Sequence, residues 1–294
     1  MNLSPGPFLV TRLAPSASIA EALKTHWREY LMEAAELGVL MFCICVCGTA
    51  LYSNTSPVKR FGLTPTDKAF CMGVAIALAT GLIIRSPFGR RSGAHFNPAI
   101  TFAYFHLGRI HHWDALHYVA SHFIGGLAGV FVAHQILGDS LAAEPVSYVV
   151  TTPGVYGSIV AFIAEFALSG LLMGLVLFAT NHRHLARFSP YFVALITVFY
   201  YAFCPSISGF SVNPARSFSS ALFAWIWQGI WVYFLAPTLG MLVAAYLYVR
   251  IAGREKVYCA KVFHDLKSTC PFNCNFYQWY REPYRSPAAA IRNR

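Results

Sequence analysis

Ser92-Gly93-Ala94-His95-Phe96-Asn97-Pro98-Ala99-Ile100-Thr101 and Ser211-Val212-Asn213-Pro214-Ala215-Arg216-Ser217-Phe218 carry the same triplet, Asn-Pro-Ala, in two places in one chain. Asn is a favoured helix N-cap and Pro is favoured at the first helical position, so each triplet reads as the start of a helix. The first of these helices is expected from Pro98 to about Leu107, where Gly108 supplies a C-terminal stop. Roughly ten residues at ~1.5 Å each cover only about half of a ~30 Å hydrocarbon core. Two such half-spans can meet in the middle of a membrane.

The composition asks for a membrane. Charged residues make up 12% of the chain and hydrophobic residues 56%, where soluble domains usually carry ~25% charged residues. Hydropathy predicts six full spans, at 31–51, 68–84, 116–137, 158–180, 190–203 and 229–250, the fifth having the shortest apolar run. The expected fold is an all-α membrane protein of six transmembrane helices plus two re-entrant half-helices. It divides into an N-terminal segment 1–30, a membrane-embedded unit 31–250 and a tail 251–294. Residues 4–18 lack the basic start and apolar run of a cleavable signal, which leaves the first span to direct insertion.

Basic residues set the orientation. Arg85, Arg90, Arg91 and Arg109 lie between spans two and three, Arg183 and Arg187 between spans four and five, and the tail is rich in Lys and Arg. By the positive-inside rule these sides, and both termini, are cytoplasmic. The stretch 139–157 carries Asp139 and Glu144 without Lys or Arg, and 204–212 is uncharged. Both are expected to face outward, with Lys59 and Arg60 in the first outer loop as exceptions. Topology therefore accounts for the formal net charge of +10, and no basic stripe interleaved with base-stacking aromatics points to nucleic acid.

The two halves of the chain repeat. Glu33 precedes Gly38-Val39-Leu40-Met41 at the spacing by which Glu165 precedes Gly170-Leu171-Leu172-Met173, and Tyr118, His122 and Gly125 are answered by Tyr233, Pro237 and Gly240. Three matched features in the same order indicate a duplicated unit of three spans and one half-span. An odd number of spans inverts the second copy, so the half-helices enter from opposite sides and their N-termini meet near the midplane.

With these features the chain resembles the aquaporins, the major intrinsic proteins, over about residues 31–250. The resemblance implies a pore through each subunit of a homotetramer that conducts water or a small neutral solute and excludes protons and ions. It implies that Glu33 and Glu165 accept hydrogen bonds from the two signature loops; a proton-coupled carboxylate is the alternative. It gives Arg216, three residues after Asn213, the place of the selectivity-filter arginine. Asn97 and Asn213 would donate to a passing water, and the two helix N-termini, at about +0.5 charge each, would repel cations.

In two places the chain departs from the usual water-channel pattern. Phe210 takes a filter position where a small residue is common, and Tyr201, with Tyr200 as alternative, stands where His is usual. The partner on the second span falls within 73–77. Glycerol-conducting members commonly carry Asp after the filter arginine, and Ser217 stands here instead, which favours water. Hydrogen peroxide, glycerol and ammonia stay open as solutes, and a plugged pore would instead suit a membrane junction or scaffold protein. His95 resembles a pore-lining histidine at the cytoplasmic mouth, with a pH gate as alternative, and His122 reads as a helix-packing group. No nucleophile elbow, phosphate loop or HExxH motif points to an enzyme.

Cys43, Cys45 and Cys47 read as small packing residues of the first span. In the tail, Cys259, His264, Cys270 and Cys274 are enough for a tetrahedral zinc site, although the spacing matches no common finger. The other reading is a basic, aromatic tail lying on anionic membrane lipid through Phe272, Phe276, Tyr277, Trp279 and Tyr280. Apart from that zinc, no cofactor is expected.

Overall fold

The computed structural model describes residues 18–281, so the N-terminal segment before Ser18 lies outside it. Six long apolar helices form the body: α1 (Ile19–Tyr52), α2 (Pro65–Arg85), α4 (His112–Leu137), α5 (Gly157–Thr180), α6 (Ser189–Phe203) and α8 (Ile230–Ala252). Between them stand the two short helices, α3 (Pro98–His106) and α7 (Pro214–Ala224). A last short helix, α9 (Phe276–Arg281), belongs to the tail.

The helix starts follow local chemistry. Asn97 and Asn213 both sit in extended backbone with Oδ1 accepting from the amides of Ala99 at 2.9 Å and Ala215 at 3.1 Å, and Pro occupies the next position. Thr64 and Asp67 close a reciprocal capping box on α2. The α1 helix begins at Ile19, well before the apolar run at residue 31, because Ser18 caps it by accepting from the Glu21 amide at 3.2 Å. Hydropathy marks where a helix enters lipid, not where it begins. The extra turns bury His26, Glu29 and Tyr30, and Asp114 of α4 receives the Tyr30 hydroxyl and lies 2.6 Å from His26 Nδ1.

The duplicated unit is visible in the packing. In the first half α1 lies on α4 and in the second α5 lies on α8, while α2 packs on α6 across the halves. Glycine sets both within-half contacts: a Cβ on Gly125 would stand 2.0 Å from the Ala34 carbonyl oxygen, and one on Gly240 would stand 2.2 Å from that of Phe166. Small residues let backbones approach where no hydrophobic force drives helices together in lipid. The outer faces expose Leu82, Ile124, Ile163 and Leu195, as suits spans bathed in hydrocarbon.

The tail does not lie open to a leaflet. Residues 257–276 fold back onto the Arg-rich end of the bundle, where Phe272 and Phe276 are buried against protein and Trp279 and Tyr280 pack on the same core. Backbone pairing fixes the placement, with Val262 N–H donating to Gly93 at 2.9 Å and Asn273 N–H to Arg109 at 3.0 Å. The lipid-surface reading is thereby corrected for Phe272 and Phe276: their rings satisfy their apolar surface inside the protein.

Candidate functional site

Both signature loops adopt the same strained path. Ala94 and Phe96 before the first Asn, and Phe210 and Val212 before the second, have positive φ values between 30° and 57°. A left-handed conformation costs a residue with a side chain roughly 1–2 kcal/mol, and a buried carboxylate holds each loop in place. Glu33 Oε1 accepts from the His95 amide at 3.1 Å and its Oε2 from Phe96 at 2.6 Å, while Glu165 Oε1 accepts from Ser211 at 2.9 Å and its Oε2 from Val212 at 2.6 Å. The Tyr118 hydroxyl donates to Ser92 and the Tyr233 hydroxyl to Ser208, both at 2.6 Å. The halves differ at one point: His122 Nε2 lies 2.9 Å from Glu33 Oε2, and its counterpart Pro237 has no donor, so Glu165 is served instead by the Ser208 hydroxyl at 2.8 Å.

The two loops are joined side chain to backbone. Asn97 Nδ2 donates to the carbonyl of Val212, and Asn213 Nδ2 donates to that of Phe96, both at 2.8 Å. The amides are thus fixed in orientation: Oδ1 caps its own helix and one N–H is spent on the opposite loop. One N–H of each amide is left for the cavity, since an amide nitrogen has two.

That cavity runs beside the loops and measures about 80 Å³ open to the centre of a water-sized sphere. One water needs about 10–15 Å³ by this measure, so a short file of waters fits. Ile44, Ile76, Ile84, Val176 and Val193 give it an apolar wall, and Asn97, Asn213, Ser211 and Arg216 a polar strip. Near one end Tyr201, Phe210 and Arg216 converge. The rings of Tyr201 and Phe210 meet edge to face with centroids 4.7 Å apart, and Tyr201 interacts with the Arg216 side chain. Arg216 is 4% exposed, and its Nη1 has no partner among the described residues. Arg216 contributes to the polar strip of the cavity wall, while Nη1 itself is buried in the protein.

Within the second-span window, Ile76 faces the cavity and Gly73 packs under Tyr201, where a Cβ would stand 2.9 Å from that of the tyrosine. Tyr200 turns away, its hydroxyl donating to Leu168 at 2.8 Å. Ser217 is buried behind the filter, with the hydroxyls of Thr151 and Ser211 each at 2.6 Å.

His95 is not on the cavity wall, which corrects its expected pore-lining place. Its Nδ1 lies 2.9 Å from Thr101 Oγ1 and its Nε2 2.7 Å from the Ala260 carbonyl, and the ring is stacked between Tyr104 and Phe272. The tail covers it. Two groups escape a reading of the sequence. Glu36, one turn after Glu33, is buried and accepts from the Ser92 hydroxyl at 2.8 Å, and the repeat does not reveal it because the second half has no counterpart. Val262, from the tail, stands on the cavity wall; no motif marks it.

Cys259, His264, Cys270 and Cys274 converge, with one ligand atom from each lying within 4.8 Å of all the others. Cys259 and Cys270 sulfurs are 3.4 Å apart, and His264 Nε2 is 3.2 Å from Cys274 Sγ. Hydrogen bonds from Cys259 and Cys270 hold the Cys274 thiol well below its ordinary range, and burial pushes Cys270 up to about 12.

A family model described as major intrinsic protein matches residues 21–248. Among curated proteins, "Aquaporin Z" of Photorhabdus laumondii is 27% identical over 236 residues, which span 76% of this chain and 97% of that protein. "Aquaporin Z" of Bradyrhizobium diazoefficiens is 28% identical over 234 residues, 75% of this chain and 92% of that one. Among solved structures, the aquaglyceroporin from Plasmodium falciparum superposes with a TM-score of 0.64 at 21% identity, covering 79% of this chain and 98% of its own; it shows a shared fold.

Proposed function

Since the chain belongs to the major intrinsic protein family of multi-pass membrane channels, we propose that it conducts water passively and excludes protons and ions. The observation that carries the reading is the filter: Phe210, Tyr201 and Arg216 together line the cavity, with the two rings edge to face and Tyr201 bonded to the Arg216 side chain. Two aromatic rings leave little width for a polyol, and the guanidinium offers a donor that replaces part of the hydration a water gives up. At the midplane the fixed amides of Asn97 and Asn213 orient the passing water. The positive ends of α3 and α7 meet there, which opposes cations and breaks a continuous proton wire. Ser217 after the filter arginine also favours water, as do relatives named Aquaporin Z.

The Arg-rich end is placed in the cytoplasm by the positive-inside rule, with both termini. Four chains form the working unit, to be checked by native mass spectrometry in a mild detergent.

The decisive experiment is stopped-flow light scattering on proteoliposomes, comparing water with glycerol flux for the wild type and Arg216→Ala. Water flux above that of empty vesicles at low activation energy, with glycerol rising only in the variant, is expected. Glycerol passing the wild type as readily as the variant would place it with the solute-conducting members. Flux no better than empty vesicles in any state of the protein would favour the plugged-pore reading.

A further inference from the structure

The chain between the four tail ligands is what touches the cytoplasmic mouth. Between Cys259 and His264, the Ala260 carbonyl faces His95 Nε2 at 2.7 Å, the Lys261 ammonium donates to the Arg90 and Thr269 carbonyls, and Val262 pairs its N–H with Gly93 and its carbonyl with the Ser189 hydroxyl at 2.6 Å. Val262 is also the tail residue on the cavity wall. Between Cys270 and Cys274, Phe272 stacks parallel on His95 with centroids 5.3 Å apart, and a Cβ on Gly93 would stand 2.6 Å from its ring. Both inter-ligand loops therefore press on the loop that carries the first Asn-Pro-Ala.

The quartet has the chemistry of a metal centre. Three thiols and one imidazole are a recognised tetrahedral donor set for zinc, and Zn–S bonds of about 2.3 Å put sulfur atoms about 3.7 Å apart. The observed 3.4 Å between Cys259 and Cys270 is near that spacing and far from the ~2.05 Å of a disulfide. His264 Nδ1 lies 2.6 Å from the Asp265 carbonyl. This is the outer hydrogen bond that fixes a ligating histidine's tautomer and leaves Nε2, the atom facing Cys274, free to bind. Once three thiols give up their protons to solvent, Zn²⁺ with three thiolates carries one net negative charge. The buried Lys261, two residues after Cys259, interacts with Cys270, and the buried Arg109, bonded to the Asn273 and Arg254 carbonyls, interacts with Cys259 and Cys274, so both balance it.

We propose that Cys259, His264, Cys270 and Cys274 bind one Zn²⁺ per chain, and that the metal clasps the tail as a cap which seats Val262 in the cytoplasmic end of the pore. Losing the metal frees both loops and opens that end, so conduction becomes sensitive to zinc supply. The cap rests on the water-channel reading, whereas the metal site stands without it.

The test uses the full chain, purified without a polyhistidine tag. Elemental analysis is expected to find close to one zinc per chain, and Co²⁺ substitution to give sulfur-to-cobalt charge transfer with the intense visible bands of a tetrahedral site. Chelation with 1,10-phenanthroline in proteoliposomes is expected to raise water flux at least threefold, and added Zn²⁺ to reverse it. Val262→Gly retains zinc and is expected to conduct fast before and after chelation. Cys270→Ser is expected to lose the metal and conduct like the chelated wild type, but the conclusion does not depend on its folding, because chelation needs no substitution. Zinc below a tenth per chain, or a Cys259–Cys270 disulfide in the intact mass, overturns the metal site. Stoichiometric zinc with flux unchanged by chelation, while Val262→Gly conducts no faster than wild type, overturns the cap. Absence of flux in wild type, chelated protein and Val262→Gly alike, with zinc bound, overturns the water channel and leaves the metal site standing.

Discussion

Single residues divide by what they face. Phe210 faces the cavity, so Phe210→Gly removes a ring without touching a buried hydrogen bond of its side chain. Water flux is expected to persist while glycerol flux rises by tenfold or more, measured in the same vesicles. Glu165 faces the chain itself. In Glu165→Gln one carboxylate oxygen becomes an NH₂ opposed to a backbone N–H, at Ser211 or Val212. A buried group left unsatisfied costs about 1–3 kcal/mol, and the strained φ values of Phe210 and Val212 lose their tether. Thermal unfolding in detergent should shift down by several degrees, and an unshifted transition would show that the carboxylate is dispensable. Residues of this kind were legible in the sequence because each recurs: Asn97 with Asn213, Glu33 with Glu165, Tyr118 with Tyr233. Glu36 and Val262 have no second copy, and their partners, Ser92 and the cavity, are contacts that only folding brings together.

Elements were legible wherever apolar content and capping chemistry agreed. The half-helices announced themselves by an Asn cap followed by Pro, whereas α2 starts at Pro65, ahead of the apolar run expected from residue 68, because Thr64 and Asp67 cap it. The start of α1 lay in the Ser18-Ile19-Ala20-Glu21 pattern, a capping signature that a hydropathy window passes over because His26, Arg28 and Glu29 dilute it. Helix pairing depends on glycine more than on apolar content. At Gly125 a methyl group would enter the Ala34 carbonyl, whereas at Gly174 nothing lies within 4 Å. Gly125→Ala is expected to force α1 and α4 apart and to abolish a single symmetric peak in gel filtration. Gly174→Ala should elute like wild type and stay within about 0.5 kcal/mol of its stability. Equal behaviour of the two would mean that close backbone approach does not limit this bundle.

At the scale of the whole molecule, the tail was half legible. Its ligand set could be read from residue types, but not its destination, because the pairing of Val262 with Gly93 and of Asn273 with Arg109 spans most of the chain. Lys261 is the internal fastener, fully buried with its ammonium on the Arg90 and Thr269 carbonyls. Lys261→Met keeps the bulk and removes the donor. A hydrogen bond to a charged group is worth about 1.5–3 kcal/mol, so the tail should open some tenfold more often. Limited trypsin digestion should cut at Lys256 or Lys267 correspondingly faster, with the six spans left intact; unchanged cleavage would show the tail held by other contacts.

The exchanged amides of Asn97 and Asn213 also set an order of events during biosynthesis. When the first three spans have left the ribosome, Phe96 and Asn97 have a carbonyl and an N–H waiting at membrane depth for partners still to be made. Neither half of the polypeptide can reach its finished shape alone. Insertion thus has a built-in checkpoint: a chain stalled or cut in the segment between α4 and α5 presents unfulfilled polar backbone to lipid, the kind of lesion that membrane quality control removes. Two separately translated halves should accumulate only when made together.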